Sequence, residues 1–260
     1  VAKQLPCQTL YAGHDAGHYT LPEPVLKARD TYRGVEAMPF PKPPRNAWET
    51  VQDVTVETVD AIHNGTKLPD VQRIEDARAS ERRYQDALDM MSGCLDLAGQ
   101  RAEDTLKANA LDILTDHLRP AHDETWQTYR EAHRVLQEYG DTAPRRLLSA
   151  PSKVRKASDT CDLMADRYTA VREAYSELRI RCALQCPDDP RHKYIAMRNY
   201  HQLQPSRLAM ARPAWQGLSA RHYLDWMAEH GGQLWMPTPD EQRQALLDEL
   251  PADSPLKRAA

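Results

Sequence analysis

A chain of 260 residues could bury a sizeable core, but 41% hydrophobic against 28% charged residues, a single Phe and a mean hydropathy of −0.73 leave too little apolar material for one compact globule. The 34 basic and 38 acidic residues sum to a net charge of −4, which gives no general attraction to a polyanion. No stretch nears the roughly 18 uninterrupted apolar residues that span a bilayer, so the composition excludes a membrane-spanning helix and favours extended helices that bury only a narrow stripe.

Residues 1–21 show no clear period and are expected to form an irregular arm. Thr20 and Glu23 stand at capping-box spacing, and a short helix is expected over about 22–36. Met38-Pro-Phe-Pro-Lys-Pro-Pro-Arg45 cannot continue it, because its prolines remove amide donors and hold their neighbours extended. Asn46 with Glu49 marks a second start, and Trp48, Val51, Thr55, Val59 and Ile62 fall on one face of a helix that Asn64-Gly65 ends. The β-branched residues there leave a strand open.

The longest periodic segment runs from Pro69 to Leu118, with a stripe through Ile74, Ala77, Glu81, Tyr84, Leu88, Met91, Leu95, Ala98 and Ala102 that only Glu81 interrupts. Pro120 must bend or reverse the chain, the bend giving a rod and the reversal a bundle. The period resumes to Gly140. After a connection, a second stripe passes through Val154, Ala157, Cys161, Met164, Tyr168, Val171, Tyr175, Leu178 and Cys182. From Asp188 onward prolines divide the chain into short pieces around Trp215, Trp226 and Trp235, and Thr238-Pro-Asp-Glu241 opens a last helix.

The predicted fold is all-α: an elongated helical bundle or long helical hairpin with a smaller C-terminal helical lobe. Its expected divisions are 1–45 (arm, short helix and proline-rich connector), 46–187 (long helices) and 188–260 (lobe). Arginine outnumbers lysine 25 to 9, a bias expected of a GC-rich coding sequence such as that of a bacterium or a bacteriophage. Five widely spaced cysteines read as reduced, packed thiols, and no basic-then-apolar start suggests a signal peptide, so a cytoplasmic or virion-associated location is expected.

The chain contains no phosphate-binding or dinucleotide glycine loop, no Gly-x-Ser-x-Gly, and no glutamate three residues before any histidine. His63, His122, Asp123 and Asp159 supply the order His…His-Asp…Asp used by an all-helical class of metal-dependent phosphohydrolase, which is one alternative. Another is a nucleic-acid-binding module built on the basic run Arg145, Arg146, Lys153, Arg155 and Lys156, although its charge does not obviously converge with the second basic group near Arg179. The favoured expectation is a non-enzymatic structural or assembly protein, with no cofactor, acting through protein–protein contacts. Its contact residues are Trp215, Arg221, Tyr223, Trp226 and Trp235, types that anchor interfaces. Heptad-spaced stripes also suit coiled-coil pairing in a homo-oligomer.

Overall fold

A computed structural model describes residues 5–140, 147–186, 195–203 and 217–249. Among them the fold is all-α, and their only β-type pairing is an isolated antiparallel bridge between Met197 and Leu234. Two compact units divide the chain: Val1–Leu5 with Leu26–Asp104, and Pro6–Val25 with Thr105–Ala260. This partition departs from the expected 1–45, 46–187 and 188–260. Residues 6–25 pack with the second half of the chain, and the described pieces beyond 188 share its core instead of building their own.

In the first unit, α3 (Ala47–Asn64) starts where Asn46 is extended and its Oδ1 accepts the Trp48 amide at 2.8 Å; it stops at Gly65, whose φ of 65° favours glycine. The β-branched residues thus lie in a helix. Helix α4 (Gln72–Ala108) runs back along it: the Ala47 amide donates to Glu81 Oε1 at 2.6 Å, and Arg73 Nη1 donates to Glu57 Oε2 at 2.6 Å. Glu81, the one polar interruption of the first stripe, therefore completes the start of a neighbouring helix. The stripe itself is the less exposed side of α4, becoming fully buried only at Met91, Ala98 and Ala102. Residues 38–46 are irregular, as the prolines require, and follow α2 (Glu23–Glu36).

In the second unit the chain does not reverse at Pro120. Beyond a distortion at Asn109 (φ −107°, ψ 9°) come α5 (Ala110–Asp112), a π-helical stretch (Ile113–Leu118) and α6 (Arg119–Tyr139), with right-handed helical dihedrals at both Leu118 and Arg119. The Arg119 amide bonds to Leu114 O, five residues back, so the ladder has shifted register just before the residue that lacks a donor. Helix α6 continues to Gly140 (φ 82°). Its antiparallel partner α7 (Ser152–Arg181) fixes the register through Tyr129 O with Cys161 Sγ (4.0 Å), Glu124 with Arg167 (2.8 Å) and His122 over Tyr168 (5.7 Å). Every residue of the second stripe from Val154 to Leu178 is buried, and Cys182 caps the end half-buried.

Two further elements cover α7. Helix α1 (Gln8–Asp15) occupies part of the expected irregular arm. It lacks a side-chain cap of its own, because Cys7 is left-handed there; Glu177 of α7 instead accepts the Thr9 amide (3.0 Å), the Leu10 amide (3.3 Å) and the Thr9 hydroxyl. Gly13 is required, since a Cβ would stand 2.3 Å from Tyr19 Oη, which donates to Leu10 O. Helix α9 (Ala220–Glu229) lies across α6 and α7, and follows the short α8 (Tyr200–Leu203). Arginines fasten the irregular chain around them: Arg172 donates to Ile195 O and Trp235 O, Arg119 to Met236 O and Arg179 to Leu184 O, all within 3.0–3.2 Å. Helix α10 (Pro239–Glu249) opens with the expected reciprocal box, Thr238 amide to Glu241 Oε2 (2.8 Å) and Glu241 amide to Thr238 Oγ1 (3.3 Å).

Leu178 and Leu163 both belong to α7 but are 0% and 61% exposed. Leu178→Ala is expected to cost about 2–5 kcal/mol through lost burial and a cavity, whereas Leu163→Ala should change stability by less than about 0.5 kcal/mol. Urea titrations of both variants measure the contrast.

Candidate functional site

Two arrangements stand out, one closed and one open. The closed one lies where α9 crosses α6. Asp225 accepts from Tyr129 Oη at 2.5 Å and from Arg221 Nε at 3.3 Å, and its Oδ1 lies 2.9 Å from His133 Nδ1. Arg221 also donates to Asp162 Oδ1 (2.8 Å) and Ser158 O (3.3 Å), and its guanidinium stands 5.7 Å above the Tyr129 ring. Clefts of about 330 and 420 Å³ flank this crossing, both bordered by His133 and Gln137. Yet Tyr129, Asp225 and Arg221 are bonded to one another, while neither ring nitrogen of His133 makes a hydrogen bond among the described residues. Burial, then the Asp225 carboxylate, pushes the Tyr129 phenol far above its ordinary range; burial also pushes the Cys161 thiol up to about 11, so both are protonated at neutral pH. The network joins three helices and presents no activated nucleophile.

This accounts for two of the expected contact residues. Arg221 takes part in that network and Tyr223 packs against Tyr168 (6.0 Å), both half-buried. Trp226 packs on the α6–α7–α9 core and stacks with His230 at 4.4 Å; Trp235 lies beneath Arg198 at 5.7 Å. Trp215 lies outside the described residues, as do Arg145 and Arg146. Lys153, Arg155 and Lys156 are exposed on the first turn of α7, the last two beside a cleft of about 360 Å³ also lined by Leu147 and Leu148.

The alternative metal residues are not brought together. His122 is fully buried, with Nδ1 3.0 Å from Asp123 Oδ1 and Nε2 without a hydrogen-bond partner among the described residues. It faces Tyr168, nine positions and so roughly 13 Å along α7 from Asp159, which is exposed. His63 is exposed at the end of α3 in the other unit. Among the described residues, no three His, Cys, Asp or Glu side chains gather in a way that could hold a metal ion.

The open arrangement is the outer face of α3. The apolar face read from the sequence is largely exposed: Ala47, Thr50, Val54 and Ala61 are buried, while Trp48, Val59 and Ile62 are 65%, 61% and 70% exposed. Helix α4 is joined to α3 by the bonds from Ala47 N to Glu81 and from Arg73 to Glu57. Exposed large apolar residues continue beyond both ends of α3, at Met38 and Phe40 and at Leu68 and Val71. Isolated exposed leucines need no explanation, but such a concentration on one segment does.

Compared with models of protein families, with curated proteins and with solved structures, the chain matches none. No helix among the described residues is long and apolar enough to cross a membrane.

Burial, against the opposing pull of Asp123, lowers the pKa of His122 below its ordinary value. The unfolded chain therefore takes up a proton below about pH 6.5 that the folded chain refuses, and stability falls as pH drops from 7 to 5. His122→Gln should make that slope shallower, by at most about 1.4 kcal/mol per pH unit, in denaturant titrations at stepped pH. An unchanged slope would show that His122 charges equally in both states.

Proposed function

We propose that this protein is a non-enzymatic structural or assembly component that works by binding another protein through the outer face of α3. The supporting observation is the row formed by Trp48, Val59 and Ile62 on a helix whose opposite side already packs against α4. Each such side chain is worth about 1.5–3 kcal/mol if removed from water, a gain the chain itself leaves unrealised. The strongly raised Tyr129 phenol, at the α6–α9 crossing, is instead tied into packing. A helical component of a bacterial cytoplasm or a bacteriophage particle fits this reading and the arginine-rich composition.

Because the row is exposed, Val59→Asp with Ile62→Asp should leave the urea midpoint nearly unchanged and yet abolish retention of a specific protein from lysate of the native host. If wild type and double variant retain the same proteins equally, α3 is not the contact surface.

A further inference from the structure

We infer that Asn64 is a site of spontaneous covalent modification, a deamidation through the nitrogen of Gly65 that helix α3 holds back for as long as its last turn stays closed. The reaction needs only water, and it is independent of what α3 binds.

The chain has four asparagines, followed by Ala47, Gly65, Ala110 and Tyr200. An asparagine before glycine is the reactive arrangement, because no side chain crowds the approach of the following nitrogen. The surroundings point to the same residue. Asn46 Oδ1 accepts the Trp48 amide (2.8 Å), Asn109 Nδ2 donates to Thr105 O (2.8 Å), and the Asn199 side chain bonds to both Gly231 O (3.1 Å) and the Gln233 amide (2.9 Å). Asn64 is exposed at the end of α3, and nothing would stand within 4 Å of a Cβ at Gly65.

The step balances without a cofactor. The Gly65 nitrogen, giving up its proton, attacks Asn64 Cγ; a C–N bond forms, and Nδ2 leaves with that proton as ammonia. The cyclic imide then takes up water at one of its two carbonyls. Cleavage of the new bond gives aspartate, and cleavage of the original peptide bond gives isoaspartate, with the main chain routed through the side chain.

The fold opposes the attack twice. The Gly65 N–H donates to Ala61 O, as does the Thr66 N–H at 2.9 Å, so freeing the nucleophile means breaking the helix cap. Helical dihedrals at Asn64 also hold the Gly65 nitrogen away from the side-chain carbon it must reach. Conversion therefore waits for the last turn to open. The products close that turn less well. Aspartate puts a charge at the negative end of the helix dipole, in a segment that between Asn46 and Gly65 already carries Glu49, Asp53, Glu57 and Asp60 without a Lys or Arg. Isoaspartate lengthens the backbone at the cap itself.

Peptide mapping by mass spectrometry tests this on the full chain, incubated at mildly alkaline pH in buffer and in denaturing urea. Conversion of Asn64 should run about tenfold or more faster in urea than in buffer, and in buffer it should outpace conversion of the other three asparagines. Ile62→Gly, an exposed change that loosens the last turn through helix propensity, should speed conversion in buffer about twofold or more and leave the urea rate unchanged. Circular dichroism checks that this variant remains folded. Equal rates in buffer and urea would show that the closed turn restrains nothing and overturn the inference. A buffer rate indifferent to Ile62→Gly would show that attack does not pass through opening of that turn, and overturns it too. Absence of conversion in urea, or conversion of another asparagine in buffer as fast as Asn64, removes the site itself.

Discussion

The buried side of α7 is the constraint on which the larger unit depends. From Val154 to Leu178 its inward residues are removed from water by three different elements, α6 along its length, α1 near its end and α9 across its middle. None of these helices buries its own stripe alone. Tyr129, Leu136, Leu10, Tyr11, Leu224 and Met227 are all buried because α7 supplies a surface to bury them against. With the apolar seam in place, the long cations on its margins can reach the backbone of the irregular chain, where guanidinium groups from α6 and α7 close the carbonyls of residues 184, 195, 235 and 236.

Helix beginnings are satisfied by distant acids as often as by local ones. Glu177 serves α1 and Glu81 serves α3, while Glu241 serves its own helix and also pairs with Arg119. For Glu241 burial alone would raise the carboxyl pKa, yet the Thr238 amide and the Arg119 guanidinium hold it below the ordinary value. A helix start that borrows its acceptor from another helix couples secondary structure to tertiary contact. The same bond that ends one helix's shortage of acceptors fixes where the other helix lies.

What could be read from the sequence follows the range of the interactions involved. The α7 stripe was legible because period and side-chain size agree, and the caps at Asn46 and Thr238 because their partners lie within three residues. Helix α1 was illegible: its acceptor stands 168 residues away and its own N-cap position is a left-handed cysteine. On α3 the apolar residues were found on one face, but hydrophobicity alone does not reveal that Ala47, Thr50, Val54 and Ala61 are the ones buried. The Asp225 network had local hints in Tyr129 with His133 and Arg221 with Asp225, each four apart. Their meeting across 92 to 96 residues leaves no periodic signal.

The dependence of α1 on Glu177 has a consequence for synthesis. Residues 8–15 leave the ribosome well before the acceptor that satisfies their opening amides, since Glu177 lies 168 residues beyond Thr9. Until then Leu10 and Tyr11 have no α7 to cover them. Helix α1 thus settles only after α7 has been made, by closure of a long loop.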